Sequence, residues 1–239
     1  FVRTFSLLFE EEKEARSETI ASLVDMKSGL AMVKSDLENI KNFSNAIKGT
    51  LKEVPLSRAE ILNSLKEADL FFYSGHGNVE KDPLTEIFRS YLALSNKLQI
   101  DFRDVLISTA KNKFGVILAS CESALLRFLP GTIDIFGLLP AFLTSGFKFV
   151  LAPLLPIEDR FASNFFGDFL EGIAAKGKPI EVLFKIKQVY RSNPDKKQII
   201  YDYIEGLLPM GCSEELKEFT ANFLIWMIHY YGDPIVSLK

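Results

Sequence analysis

Short apolar runs rich in β-branched and aromatic residues alternate along the chain with segments of helical length. Four such runs stand out, Val2–Phe9, Leu70–Tyr73, Val116–Ser120 and Phe147–Ala152. Strands that are separated by helices usually pair in parallel, and helices then cover both faces of the sheet. The alternation therefore predicts an α/β fold in which a mostly parallel central sheet lies between two layers of helices.

Helical signals lie between and after these runs. The residues Ser57–Glu60 have the spacing of a capping box, which predicts the start of a helix. Beyond Arg160, large apolar residues recur at every fourth position, which predicts an amphipathic helix; they are Phe161, Phe165, Phe169 and Ile173. Further helices are predicted over Ile180–Tyr190 and Ile199–Leu208, on either side of a turn at Ser192–Asp195.

Composition narrows the classes of function. The 239 residues suffice for one full-sized domain. Because 28 Lys and Arg oppose 31 Asp and Glu, the net charge of −3 creates no basic field, and direct nucleic-acid binding is not expected. Two cysteines, Cys121 and Cys212, and two histidines, His76 and His229, are too few for a disulfide framework or a zinc site.

The most apolar stretch, Phe136–Ile157, is interrupted by polar residues and prolines. It therefore predicts a buried core segment rather than a membrane span. The chain begins at Phe1 rather than Met, and its short apolar start runs into three glutamates, unlike a secretory signal. We expect a cytoplasmic location and a sequence that is part of a longer protein.

Two predicted strands end in side chains that can do chemistry. Leu70–Tyr73 leads into Ser-Gly-His-Gly, with the histidine at His76, and Val116–Ser120 leads into Cys121. The carboxyl ends of parallel strands border the ligand crevice, and a thiol beside an imidazole is a pair suited to nucleophilic catalysis. Each residue alone is more often structural, so the pattern itself leaves a catalytic pair and two structural side chains equally open.

Other common catalytic motifs do not occur in the sequence. It contains no Gly-x-Ser-x-Gly elbow, no Walker loop, no Gly-x-Gly-x-x-Gly, no His-Glu-x-x-His and no Cys-x-x-Cys. The remaining cysteine and histidine, Cys212 and His229, have no matched partner in the pattern and are interpreted as structural. The sequence thus offers no motif for nucleotide or metal chemistry.

The two strand ends resemble the signature segments of CHAT domains. They read Phe-Tyr-Ser-Gly-His-Gly at 72–77 and Ile-Leu-Ala-Ser-Cys-Glu-Ser-Ala at 117–124. CHAT domains are caspase-like cysteine peptidases, in the clan that also contains separases, metacaspases and gingipains. The resemblance implies a caspase-like three-layer αβα sandwich.

The resemblance extends over residues 51–234. It includes a helix and strand at 137–152, the Pro-Ile-Glu-Asp segment at 156–159 and a closing segment that begins at Trp226. Two features depart from the family and its caspase relatives. Leu155 stands where many members have tryptophan, and Ala-Ser-Cys-Glu-Ser replaces the caspase Gln-Ala-Cys-x-Gly, so strict cleavage after aspartate is not implied. We expect a single CHAT-type domain over residues 1–239, forming the C-terminal part of a longer protein.

The resemblance implies a role for each candidate residue. Cys121 would be the nucleophile, and His76 the acid and base that assists it. The backbone amides of Gly77 and Cys121 would form the oxyanion hole. Asp159, with Glu158 beside it, would line a specificity pocket for a basic substrate residue, as the corresponding acid does in separases. The alternative role for Asp159 is the N-cap of the helix that follows.

The function implied by the resemblance is a cytoplasmic endopeptidase that cleaves a protein substrate. Family members are commonly fused to tetratricopeptide or other interaction modules and act in bacterial defence or regulated cell death. The resemblance therefore implies an N-terminal sensor or repeat region, or a separate activating partner, and neither a cofactor, a metal nor a membrane. Two other functions stay open: a catalytically silent CHAT-like protein-interaction module, and a small-molecule thiol hydrolase or acyl transferase.

Overall fold

A computed structural model describes residues 19–81, 88–108, 113–121, 123, 127–128, 135–206, 208–209 and 211–232. The strand predicted at Val2–Phe9 lies outside these residues. The strands within them are β1 (Thr19–Val24), β2 (Thr50–Glu53), β3 (Leu70–Ser74), β4 (His76–Lys81), β5 (Phe88–Ala93), β6 (Gln99–Asp101), β7 (Lys113–Ala119), β8 (Arg127–Phe128), β9 (Ile135–Phe136), β10 (Phe147–Pro153) and β11 (Ile228–Gly232). The helices within them are α1 (Val33–Ala46), α2 (Arg58–Glu67), α3 (Phe102–Leu106), α4 (Leu138–Thr144), α5 (Asp159–Ala174), α6 (Pro179–Ser192), α7 (Pro194–Glu205) and α8 (Glu214–Trp226).

The central sheet has six strands in the order β11-β10-β7-β3-β1-β2. All of its neighbours pair in parallel except β11, which is antiparallel to β10. Every residue of β3, β7 and β10 is buried, as expected for largely apolar strands in a sheet that is covered on both faces; the buried residues include Lys113 and Lys148. These three strands confirm the predicted runs, whereas β1 and β2 were not predicted.

Helices cover both faces of this sheet. On one face, α1 and α5 to α8 pack against side chains such as Ile20, Phe72 and Phe149. On the opposite face, α2, α3 and α4 pack against side chains such as Phe71 and Val116. The predicted three-layer α/β architecture is therefore confirmed. Among the helices of the described ranges, none has both the length and the apolar character needed to cross a membrane.

Several predicted helices form with small changes at their ends. The side chain of Ser57 caps α2 by accepting a hydrogen bond from Glu60 N. The stripe of α5 that was predicted from its spacing is fully buried; it comprises Phe161, Phe165, Phe169 and Ile173. Each such burial contributes about 1.5–3 kcal/mol. Helix α7 begins at Pro194 rather than Ile199, because Asn193 caps it and proline suits the first turn.

Two smaller sheets extend from the main one. The strands β4, β5 and β6 form an antiparallel sheet, and β8 pairs with β9. Only Gly75 separates β3 from β4, so the chain passes from the central sheet into the smaller sheet at His76. The two glycines that flank the histidine suggest a turn around it, but the chain bends only at Gly75, and His76 itself begins a strand.

Candidate active site

The strand register brings the two candidate catalytic residues to the same edge of the sheet. Strands β3 and β7 pair in parallel, with Ser74 opposite Ala119. His76 and Cys121 each follow that pair by two residues. The amide of Gly75 lies 3.5 Å from the Ala119 carbonyl oxygen and continues the pairing beyond the strands. Both residues therefore lie at the carboxyl edge, where ligands bind in open α/β sheets.

Gly77 brings the two segments into backbone contact. A Cβ atom on residue 77 would lie 2.0 Å from the carbonyl oxygen of Cys121, which no real side chain tolerates. Glycine is required here because the two backbones approach so closely. The two residues predicted to form the oxyanion hole, Gly77 and Cys121, are thus neighbours in space.

The ring of His76 contacts a backbone carbonyl. Its Nε2 lies 3.0 Å from the carbonyl oxygen of Ser28, in the loop between β1 and α1. A carbonyl oxygen can only accept a hydrogen bond, so Nε2 carries a proton. In the neutral ring, Nδ1 is then the nitrogen that can accept a proton. The side chain is exposed to solvent, as a proton-transfer group at a substrate cleft needs to be.

The buried side chain of Tyr73 contacts the backbone around His76. Its hydroxyl lies 2.9 Å from the His76 carbonyl oxygen and 3.1 Å from that of Ala93. Burial raises the pKa of Tyr73, and the charge of Asp25 raises it further, so the hydroxyl remains a donor. A Cβ atom on Gly75 would lie 2.5 Å from this hydroxyl oxygen, which explains the first glycine of Gly-His-Gly.

Cys121 is half-buried, and its thiol faces the segment that carries the predicted specificity residues. The Sγ atom lies 3.8 Å from the carbonyl oxygen of Ile157. Behind it, Ser123 Oγ donates a hydrogen bond of 2.9 Å to the Ser120 carbonyl oxygen and closes the turn after β7. Glu122, part of the signature segment, lies outside the described residues.

The two acids that follow Ile157 make different contacts. Glu158 is the N-cap of α5, because its carboxylate accepts from Arg160 N at 2.9 Å and from Phe161 N at 2.6 Å. Helix α5 begins at Asp159, so the alternative in which Asp159 is the N-cap is wrong. Asp159 Oδ2 instead accepts a hydrogen bond of 2.9 Å from Met32 N. Both acids are partly exposed.

An additional aromatic residue packs on the core cluster that contains Ile157, whose carbonyl oxygen faces the cysteine thiol. This residue is Tyr203, on α7, and it is partly buried. Burial raises the pKa of Tyr203, and negative charge on Cys121 and Glu158 raises it further. No sequence motif distinguishes this tyrosine from the others, and so sequence reasoning missed it.

Sequence reasoning also missed the loop after β1. Asp25 is fully buried, and its carboxylate accepts from Ser95 N at 2.6 Å and from Ser95 Oγ at 2.7 Å. Its amide donates to the Ser74 carbonyl oxygen at 2.9 Å, so the loop is fixed to the end of β3. The signal was the short apolar run Thr19–Val24 followed by an aspartate, which has the form of another strand with a polar end.

The other cysteine and histidine lie on elements other than β3 and β7, and His229 pairs with Ala152 near the carboxyl end of β10. Cys212 precedes α8, and His229 lies on β11, where its ring stacks on Tyr231 at 5.8 Å. Within the described residues, no group of three or more His, Cys, Asp or Glu side chains could hold a metal ion. The candidate groups at this edge of the sheet are therefore Cys121, His76 and the acids Glu158 and Asp159.

Comparison with known sequences identifies the family. The sequence profile of the CHAT domain matches residues 4–232. The chain belongs to the CHAT domain family. This match confirms the predicted family and supports the predicted class of enzyme, a caspase-like cysteine protease. A search of curated proteins found no match to this CHAT domain.

Solved structures with a similar fold are also cysteine peptidases. Separase from Saccharomyces cerevisiae, in its complex with securin, matches over 93% of this chain and 12% of its own, with 16% identity and a TM-score of 0.56. The Arg-specific cysteine proteinase gingipain R matches over 100% of this chain and 51% of its own, with 10% identity and a TM-score of 0.55. The CHAT domain thus spans about half of gingipain and a small part of separase, and the likeness confirms a caspase-like fold.

Proposed function

We propose that this CHAT domain is a cysteine endopeptidase that cleaves a protein substrate with Cys121 as nucleophile and His76 as acid and base. The observation that carries the proposal is the register of β3 and β7, in which both residues follow the pair Ser74–Ala119 by two positions. The contact of Gly77 with the Cys121 carbonyl supports it, because it holds the two strand ends together. The family match supports the same chemistry.

The reaction would proceed in two steps. The Cys121 thiolate attacks the carbonyl carbon of the scissile peptide bond, and an S–C bond forms. His76 Nδ1, protonated by the thiol, gives its proton to the leaving amine as the C–N bond breaks. Water then attacks the thioester carbonyl carbon while His76 takes a proton from it, the C–S bond breaks, the carboxyl product leaves, and His76 returns the proton to the Cys121 sulfur. Throughout, Nε2 keeps its proton and donates a hydrogen bond to the Ser28 carbonyl oxygen.

Backbone amides would stabilise the negative charge of the tetrahedral intermediate. The amides of Gly77 and Cys121 are the proposed donors, and the close contact of these two residues supports that role. Losing one oxyanion-hole donor typically costs about 2.7–4 kcal/mol of transition-state stabilisation. Because these donors are backbone groups, only a change of backbone position removes them.

The proposed substrate carries a basic residue before the cleaved bond. Asp159 would pair with that residue, and two observations support this: it is partly exposed, and it follows by two residues the carbonyl that faces the Cys121 thiol. Glu158 would add negative charge beside the pocket while its oxygens cap α5. Gingipain R, a structural neighbour, is named as Arg-specific, which favours the same preference here.

The proposed setting is a regulated effector in the cytoplasm, acting in bacterial defence or cell-death signalling. Only the resemblance to CHAT proteins supports this setting. Regulation by an N-terminal sensor or repeat region, or by a separate partner, is part of the proposal. The separase neighbours are in complex with securin, another protein, which supports control by a protein partner.

Cleavage of a mixed peptide library, read by mass spectrometry, tests the proposal. We expect cuts after Arg or Lys with the wild-type chain, a loss of at least about a thousandfold with Cys121→Ala, and unchanged cuts with the matched Cys212→Ala control. Asp159→Asn should weaken the selection of basic residues. The assay is repeated with any protein that co-purifies, because caspase-like sites can require a partner to order them.

Two results would favour the alternatives. If no cuts occur and a thiol-directed peptide probe fails to label Cys121 even with the partner present, the domain is a protein-interaction module. If Cys121 reacts with small acyl esters but cuts no peptide, it is a small-molecule thiol hydrolase or acyl transferase. Cuts that persist in Cys121→Ala would reject the assignment of the nucleophile.

A further inference from the structure

A buried carboxyl group lies beneath the end of β3. Asp36, in the first turn of α1, is 3% exposed, and its Oδ2 accepts a hydrogen bond of 2.5 Å from Ser74 Oγ. Ser74 is the last residue of β3 and is also buried. Only Gly75 separates it from His76. This hydrogen bond therefore joins α1 to the strand end that carries the candidate catalytic histidine.

Helix α5 packs on the same carboxyl group. Burial raises the pKa of Asp36, the nearby hydroxyls of Ser163 and Ser74 oppose that increase, and the negative charge of Asp159 adds to it. A buried acid costs free energy that an apolar side chain would not, and part of that cost persists even with good hydrogen bonds. Burying Asp36 at the junction of α1, α5 and β3 therefore lowers the stability of the fold relative to an apolar side chain, and packing alone does not account for its presence.

The same junction supports the loop that contacts the histidine ring. The amide of Asp36 donates to the Met32 carbonyl oxygen at 3.0 Å, and the Met32 amide donates to Asp159 Oδ2. Four residues earlier, the Ser28 carbonyl faces His76 Nε2. The backbone of the histidine segment and the partner of its ring are therefore both connected to the start of α1.

We infer that Asp36 is a positioning residue for His76, acting through its hydrogen bond to Ser74. Asp36 is buried and does not touch the substrate. Without the bond, the end of β3 loses its attachment to α1, and His76 shifts relative to Cys121. Misplacement of about 1 Å can lower a catalytic rate about a hundredfold, so the effect appears mainly in kcat.

Four substitutions in the full chain test this inference. Asp36→Ala and Ser74→Ala each remove one partner, whereas Asp36→Asn keeps an acceptor oxygen for the Ser74 hydroxyl. Ser22→Ala is the matched control, because Ser22 is buried on the adjacent strand β1 and its hydroxyl has no hydrogen-bond partner among the described residues. Unfolding midpoints measured for every variant separate loss of folded protein from loss of function.

The kinetic part of the test rests on the proposed peptidase function. We expect kcat to fall by about 10- to 100-fold in Asp36→Ala and in Ser74→Ala, with KM changed less than about threefold. The double variant should be no worse than either single variant, because both remove the same bond. Asp36→Asn should recover kcat to within about threefold of wild type, and Ser22→Ala should not alter it.

A spectroscopic readout is independent of the peptidase function. The sequence has two histidines, so a sample ¹³C-labelled only at the histidine Cε1 atom gives two signals, and His229→Gln identifies that of His76. We expect the His76 signal to move in Ser74→Ala and Asp36→Ala and to return in Asp36→Asn. The His229 signal, from β11, serves as the internal reference and should stay in place.

The outcomes separate the inference from the proposed function. An unchanged His76 signal with unchanged kcat and only a lower unfolding midpoint would show that Asp36 is merely structural, and would overturn the inference. If the wild type cuts no peptide but the His76 signal responds as expected, the proposed function fails and the positioning role stands. If Asp36→Ala does not fold, Ser74→Ala and Asp36→Asn still decide between these outcomes.

Discussion

The ends of β3 and β7 carry the two candidate catalytic residues at the same register but are held in different ways. At the end of β3, side chains provide the support. The Tyr73 hydroxyl donates a hydrogen bond to the His76 carbonyl oxygen, and the Asp36 carboxylate accepts one from the Ser74 hydroxyl. Beyond β7, the described contacts of Cys121 involve backbone carbonyls. Its own carbonyl lies against Gly77, and its thiol faces the carbonyl of Ile157.

This difference separates two tasks of the site. Parallel pairing places both strand ends at the carboxyl edge, so the register determines which residues can meet. The side chains under β3 then fix the histidine, which must be oriented to move a proton. Cys121 is half-buried, and its position depends on the close approach of the Gly77 backbone to its carbonyl oxygen. Substitutions at the two ends should therefore have effects of different size and kind.

The largest effect is expected where the two ends touch. Gly77→Ala would place a Cβ atom 2.0 Å from the Cys121 carbonyl oxygen, so one of the two backbones has to move. We expect kcat/KM to fall by about a hundredfold or more, because a shift of this size misplaces the thiol and the proposed oxyanion-hole amides together. Peptide cleavage and the rate of Cys121 alkylation by iodoacetamide measure the effect.

Gly206→Ala is the matched control for this substitution. A Cβ atom on residue 206 would lie 3.5 Å from its nearest neighbour, the Tyr203 carbonyl oxygen, at an ordinary contact distance. We expect less than a twofold change in either assay. If Gly77→Ala behaves like this control, the close approach of the two backbones is not needed for function, and the comparison of the two ends fails.

The part of the site that sequence reasoning predicted follows from continuous apolar runs. The runs Leu70–Tyr73 and Val116–Ser120 could be recognised because the strands of a covered parallel sheet are largely apolar, and the polar residues that follow mark the edge. His76 and Cys121 were found in this way. The stripe of α5 was found because its spacing repeats every four residues.

The supporting residues could not be found from the sequence for physical reasons. The group that contacts the His76 ring is the Ser28 backbone carbonyl, which every residue possesses. Asp36 meets Ser74 across 38 positions of sequence, and only the packing of α1 on the sheet buries it. An aspartate in the first turn of a helix otherwise indicates a favourable helix-dipole contact. Tertiary packing decides which of these roles it takes.

A smaller effect is expected when the support beneath β3 is weakened at Tyr73. Tyr73→Phe removes a buried hydroxyl and leaves the carbonyls of His76 and Ala93 without that donor. We expect the free energy of unfolding to fall by about 1–3 kcal/mol, which is the usual cost of an unsatisfied buried acceptor. Urea unfolding measures this change, and kcat/KM should fall by about tenfold as His76 loses one attachment.

The result distinguishes side-chain support from strand pairing. If Tyr73→Phe lowers kcat/KM as expected while iodoacetamide still alkylates Cys121 at nearly the wild-type rate, the two ends are held independently. Unchanged unfolding and unchanged kcat/KM would show that the pairing of β4 with β5 alone holds the histidine segment. Tyr73 would then have no positioning role.

The smallest effect is expected at the cysteine end, from Tyr203 on α7. Tyr203→Ala would remove a partly buried ring that packs on the core cluster containing Ile157, whose carbonyl oxygen faces the Cys121 thiol. We expect iodoacetamide to alkylate Cys121 about threefold faster and peptide cleavage to fall by a similar factor, because an apolar contact of this kind is worth about 1 kcal/mol. Tyr203→Phe keeps the ring and should change neither rate.

Tyr201→Ala, on the same helix, is the matched control, since the Tyr201 hydroxyl donates to Glu218 Oε2 on α8. Equal effects of Tyr203→Ala and Tyr201→Ala would mean that α7 contributes only to stability, and that backbone contacts alone define the cysteine end.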